Sequence, residues 1–148
     1  MNINHILLTT DLSPESLHPC MPVGELARVV GARITLLHVL EAVRVAPHGA
    51  SLAPPISPLF SEEDEKQAKL ALEKQCAALG EGVEVKAHVM HANDIAVAVA
   101  DYAHENDVDL ICLSTHGRTG FRHLVLGSVA ESIIRHSKIP TLSFPQPK

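Results

Sequence analysis

The stretch from Leu113 to Glu131, LSTHGRTGFRHLVLGSVAE, gathers the residues of this chain best suited to holding a charged ligand. Gly117 and Gly120 follow an apolar run, and Gly127 with Ser128 opens a segment of helical composition. Glycine lets the backbone approach a ligand closely, while the free N–H groups and partial positive charge of a helix start favour phosphate. The Ser128 hydroxyl adds a donor, and the guanidinium groups of Arg118 and Arg122 suit phosphate oxygens. The same stretch also fits a plain loop before a small-residue helix start, its arginines forming a solvated face. Neither GxxxxGK(S/T) nor GxGxxG occurs, so the P-loop and dinucleotide-binding signatures are both missing.

Other chemistry is thinner. Asp11, in TTDLSPES, can hydrogen-bond a ribose or cap the first helix together with Ser13. His88 and His91 have half the look of a metal site, but on an alternating strand they point to opposite faces. His38 and His116 fall near strand ends without an acidic or cysteine partner at zinc spacing, so no metal is assigned to protein ligands. Cys112 lies in an apolar run and reads as core. No order of Ser, His and Asp, or of Cys and His, identifies a nucleophile, and no catalytic base stands out.

The elements that must position these residues follow from apolar periodicity. Ile3 to Thr9 is a nearly continuous apolar run, a strand buried on both faces, halted by Asp11, Ser13 and Pro14. Glu15 to Val30 reads as a helix with Leu17, Met21, Leu26, Val29 and Val30 on its apolar face and Gly31 as the residue ending it. Pro19 and Pro22 require a kink, or a regular start only near Pro22. Arg33 to Leu40 is a second buried strand, and the proline-rich residues 41 to 60 form a long loop. Ser61 and Asp64 resemble a capping box ahead of a helix whose face carries Ala68, Leu72, Cys76 and Leu79, ended by Gly80 and Gly82. Val83, Val85, Ala87 and Val89 alternate with polar residues and Met90, as in an edge strand exposed on one side. Asp94 caps a helix from Ile95 to Asn106; Val108 to Leu113 is a buried strand, Gly127 to Ser137 a helix and Pro140 to Phe144 a short last strand. Strands alternating with helices imply an α/β fold: a doubly wound parallel sheet with helices on both faces and ligands outside the C-terminal strand ends.

Composition narrows the partners. The 148 residues suit one domain at roughly 150 residues each, and 46% hydrophobic with 20% charged residues supports a packed core. A net charge of −5 offers no broad footprint for nucleic acid or an acidic membrane. No apolar stretch approaches the roughly 18 residues of a spanning helix. Three dispersed cysteines without a CxxC pair suit a reducing compartment, and cytoplasmic localisation is expected.

Over essentially its whole length the chain resembles the universal stress protein family. The ATP-binding type carries Gly, two residues, Gly, nine residues, Gly, then Ser or Thr; Ser114, Gly117, Gly127 and Ser128 occupy those positions here, with serine in place of the first glycine. The HGRTG, LGSVAE and DLSPES segments are similar to the family as well. The resemblance implies five strands in the order 3-2-1-4-5, Asp11 near ribose and adenine, Val39 against adenine, and Gly117, Gly127, Ser128 and Val129 around the phosphates. It implies ATP as cofactor, with Mg²⁺ held mainly by phosphate oxygens and water, in a nucleotide-dependent stress-response switch. Ser114 sets no strain where φ is negative, and its hydroxyl can donate to phosphate. A dimeric scaffold that binds no nucleotide and a slow ATPase are the alternative functions on the same fold. A short terminal strand with Leu142 and Phe144 at a sheet edge, together with the resemblance, implies a homodimer through that strand.

Overall fold

The structure, a computed structural model, describes residues 2–41, 62–115 and 127–145. Five strands, β1 (His5–Thr9), β2 (Arg33–Glu41), β3 (Val85–Ala92), β4 (Leu110–Ser114) and β5 (Thr141–Phe144), form one sheet in the order β3-β2-β1-β4-β5. Every pairing is parallel, with Leu8 of β1 in register with Leu36 of β2 and Cys112 of β4. The expected strand order holds. Among the described residues four helices, α1 (Cys20–Val30), α2 (Glu62–Cys76), α3 (Ile95–Glu105) and α4 (Ser128–His136), cover the sheet, and short 3-10 helices occupy Pro14–Leu17 and Ala77–Leu79.

Alternation along the central strands feeds two separate cores, as a sheet covered on both sides requires. Ile6, Leu8, Ile34 and Leu36 face α1 and α2, where they meet Val23, Ala27 and Leu72. Leu7, Leu37, Ile111 and Leu113 point the other way, onto Ala96 and Val99 of α3 and Ala130 and Ile133 of α4. Both helices of each pair thus lock β1 and β4 at the centre of the sheet, and the C-terminal ends of those strands become fixed points.

Local signals explain the boundaries. Asp94 Oδ1 accepts from the amides of Ala96 and Val97, at 2.9 and 3.1 Å, and so starts α3 as expected. Gly31 ends α1 at φ 72°. The proline problem resolves at Pro19, which is the N-cap of α1; Pro22 then lies in the first turn, where its missing N–H has no intrahelical acceptor in any case.

Two readings need correction. The buried face of α1 is Cys20, Val23, Gly24 and Ala27, whereas Met21 and Val29 are 66% and 85% exposed and Leu17 and Val30 are also exposed. Small residues win because the helix lies against chain: a Cβ on Gly24 would stand 1.9 Å from the Leu79 carbonyl oxygen. β3 starts at Val85 and runs on to Ala92, and it is covered in part on both sides. Val85 and Val89 pack toward α1 and α2, Met90 and Ala92 toward α3 and α4, and the His88 ring stacks on Tyr102 with centroids 5.0 Å apart. The strand lies at the sheet edge as expected, with Lys86 and Ala87 exposed and His88 to Ala92 half-buried. The loop read at 41–60 lies outside the described residues except for Glu41, which belongs to β2; Ser61 lies outside them too.

Candidate functional site at the C-terminal ends of β1 and β4

Two residues beyond the paired Leu8 and Cys112 stand Thr10 and Ser114, where the central strands leave the sheet side by side. Thr10 donates its N–H to the Leu37 carbonyl at 2.9 Å, and its own carbonyl lies 2.8 Å from His38 Nδ1, so β2 grips it from both sides of the peptide. Asp11 then turns the chain. Its Oδ1 accepts from the Ser13 amide at 3.0 Å and the Ser13 hydroxyl at 2.5 Å. Between them Leu12 sits at φ 64°, a left-handed conformation uncommon for leucine. Asp11 therefore closes a turn on its own backbone; the N-cap of the following 3-10 helix is Ser13, without a side-chain cap bond.

At the other strand end, Ser114 is the last residue of β4, paired in register with Phe144 of β5. It is not among the non-glycine residues with positive φ, so serine sits there without backbone strain. Thr115 donates its N–H to the Phe144 carbonyl at 3.0 Å and accepts from the Gly127 amide at 2.8 Å. That second bond brings the start of α4 back onto the end of β4. Gly127 has φ −58°, so glycine is favoured there by proximity rather than by handedness: a Cβ would stand 3.0 Å from the Thr115 carbonyl oxygen, close enough that the neighbour would have to give. The first helical bond of α4 runs from the Glu131 amide to the Gly127 carbonyl, leaving the amides ahead of it at the helix mouth, beside the exposed Ser128 and Val129.

Of the expected site residues, the structure gathers Asp11, Ser114, Gly127, Ser128 and Val129 at this end of the sheet. Val39 is also near the C-terminal end of its strand, but it is 7% exposed and packs in the core beneath α3 and α4. Gly117 and Arg118, with His116, Gly120 and Arg122, lie outside the described residues. His88 and His91 separate, one onto Tyr102 of α3 and the other 3.0 Å from Glu65 of α2. Among the described residues there is no group of three or more His, Cys, Asp or Glu placed to hold a metal. Burial pushes the Cys112 thiol up to about 12 and the Cys20 thiol to about 11, so neither supplies a thiolate near neutral pH.

Sequence reasoning missed a buried polar cluster behind Asp11. The Thr10 hydroxyl donates to Gln75 Oε1 of α2 at 2.7 Å and lies 2.8 Å from the Ser16 hydroxyl. Its signal was available: Ala68, Leu72, Gln75 and Leu79 follow a 4-3-4 spacing, which puts a glutamine on the apolar stripe where Cys76 was read.

A cavity of about 450 Å³ opens between the end of β3 and α3, lined in part by Met90, Val97 and Tyr102. It carries the carboxylates of Asp94, Asp101 and Glu105, which would repel an anion, so it does not compete with the helix mouth of α4 for phosphate. No helix among the described residues is long and apolar enough to cross a membrane.

Residues 2–145 match the model of a family described as the universal stress protein family. A similar protein is universal stress protein A homolog 1 of Coxiella burnetii, 32% identical over 136 residues that cover 90% of each chain. Universal stress protein MJ0531 of Methanocaldococcus jannaschii is 29% identical across 97% of this chain and 82% of its own. Among solved structures, the Archaeoglobus fulgidus universal stress protein in complex with dAMP superposes with a TM-score of 0.72 at 21% identity, covering 97% of this chain and 98% of that one. A universal stress protein in complex with cAMP reaches 0.64 at 18% identity, covering 97% of both.

Proposed function

The chain belongs to the universal stress protein family, and from that premise we propose that it binds ATP with Mg²⁺ at the C-terminal ends of β1 and β4 and works as a nucleotide-dependent switch in the stress response. The observation that carries this is the Gly127–Thr115 bond, which sets the donor-rich mouth of α4 on the end of β4, the strand paired with β1, which leads into Asp11. Phosphates fit a helix start of this kind, where backbone amides and the Ser128 hydroxyl converge without a bulky side chain at Gly127. Asp11 serves the ribose, Val39 the adenine, and Ser114, Gly127, Ser128 and Val129 the phosphates; Gly117 and Arg118 complete the cradle in this reading. Mg²⁺ supplies charge neutralisation to the phosphates and is held mainly by their oxygens and by water. Relatives of the same fold solved with dAMP and cAMP support an adenine nucleotide.

Binding stabilises the folded state by mass action and changes the surface at this end of the sheet, which is what a switch requires. The protein works in the cytoplasm. Its homodimer forms through β5, an edge strand whose Leu142 is exposed and whose outer backbone groups invite the same strand of a second copy. Deleting the residues after Ser137 is expected to yield monomer by light scattering, and an unchanged dimer would move the interface elsewhere.

Calorimetry with MgATP is the direct test. Saturable heat and a rise in melting temperature are expected, with a stabilisation on the order of 2.7 kcal/mol at a hundredfold excess of ligand over Kd. No heat and no shift at millimolar MgATP, with the protein folded, would leave the dimeric scaffold as the function.

A further inference from the structure

We propose that Gln75, buried on α2, is a positioning residue for the nucleoside end of this site: through the Thr10 and Ser16 hydroxyls it sets the Asp11–Ser13 turn that receives the ribose. The proposal rests on the nucleotide-binding reading above. An amide on the apolar stripe of a helix is costly unless it is hydrogen-bonded, and a leucine would continue the stripe of Ala68, Leu72 and Leu79. Gln75 is 7% exposed, Thr10 8% and Ser16 3%, so the three are sealed from water.

Their bonds converge on one short piece of chain. Thr10 donates to Gln75 Oε1, and the Leu12 amide donates to the same Thr10 hydroxyl at 3.0 Å. The Ser16 hydroxyl reaches the Ser13 carbonyl at 2.7 Å, with Gln75 Nε2 at 3.5 Å from Ser16 Oγ. Both ends of the turn, the Leu12 amide and the Ser13 carbonyl, are thus tied to hydroxyls beside Gln75, which holds Thr10 closely at 2.7 Å and touches Ser16 only at the longer 3.5 Å. Leu12 keeps its left-handed φ of 64° inside that frame. A backbone conformation of this kind persists only when its surroundings over-determine it, and such residues cluster at binding sites. The hydrogen bonds of Gln75 go to Thr10 and Ser16, and the effect on the Asp11 carboxylate passes through the backbone.

The test is Gln75→Met, which keeps length and volume and removes the hydrogen bonds. Calorimetry with adenosine and with MgATP is expected to show affinity reduced about tenfold for both, because the nucleoside end is common to them. Amide exchange at Leu12 and Ser13 should accelerate, while Ala96 and Val97 under the Asp94 cap keep their rates. Thr10→Val removes the same link from the other element and should reproduce the pattern, which keeps the test decisive if Gln75→Met fails to fold. Unchanged adenosine affinity, a loss confined to MgATP, or unaltered exchange at Leu12 and Ser13 would overturn the positioning role while leaving nucleotide binding intact. A wild-type protein that binds neither adenosine nor MgATP would instead refute the nucleotide reading, and this proposal with it.

Discussion

The two ends of the sheet are both polar, and their polar groups are arranged differently. At the N-terminal end, the amides of Asn4 and His5 both donate to Asp109 Oδ2, at 2.8 and 3.0 Å. The buried His5 ring lies 3.0 Å from the Asn106 carbonyl through Nδ1 and 2.8 Å from the Thr35 hydroxyl through Nε2, with Arg33 Nη2 3.2 Å from Nδ1. These groups consume one another. At the C-terminal end the inner layer of Thr10, Ser16 and Gln75 is likewise satisfied, but its bonds to the Leu12 amide and the Ser13 carbonyl hold the turn that follows Asp11, while the start of α4 is tied separately to the end of β4 through Thr115. Polar residues at one end of the sheet thus close on themselves, whereas at the other a satisfied layer fixes the turn of the proposed site.

The largest expected effect breaks that contrast at the binding end. Gly127→Val places a side chain against the Thr115 carbonyl, 3.0 Å from the Cβ position, and pushes the mouth of α4 off the end of β4. ATP affinity is expected to fall by at least about tenfold, with a stability cost of about 1–3 kcal/mol for overpacking. His88→Ala, on the edge strand, should leave affinity unchanged; equal losses in both variants by calorimetry would mislocate the pocket.

A smaller effect sharpens the contrast from the other end. His5→Phe leaves the Thr35 hydroxyl and the Asn106 carbonyl without the ring, so urea unfolding should show a loss of about 1–3 kcal/mol with ATP affinity unaltered. Desolvation, reinforced by Arg33, holds the His5 ring below its ordinary 6.5 even though the Asn106 carbonyl opposes the shift. The unfolded chain thus takes up this proton first, and stability is present above about pH 6.5 and declines as pH falls from there toward the folded value. His88, lowered by desolvation and by Lys86, adds to the same decline. His5→Phe should flatten part of the slope, and an unchanged slope would show that the ring is not the group titrating.

Much of this was legible in the sequence because the signals were local. Continuous apolar runs marked β1, β2 and β4, Asp94 marked a helix start, and Gly31 an end. Packing against another chain segment has no such local sign. Gly24 is small because Leu79, 55 positions away in sequence, brings its carbonyl to 1.9 Å from the Cβ position, and that contact sets the buried face of α1. Gln75 escaped because a polar residue on an apolar stripe is meaningful only once Thr10 and Ser16 are known to lie opposite. At the site, the glycine at 127 and the helix start at Ser128 were readable from spacing, whereas the left-handed Leu12 was not, since no glycine or asparagine announces it.

The most direct test of the account is hydrogen–deuterium exchange of the wild-type protein with and without MgATP. Protection is predicted at the C-terminal end, over residues 10–13, 114–115 and 127–130, with unchanged rates at Asn4, His5 and 106–109 at the N-terminal end. Protection confined to the N-terminal end, or spread evenly over both, would contradict the assignment of binding to the C-terminal ends of β1 and β4.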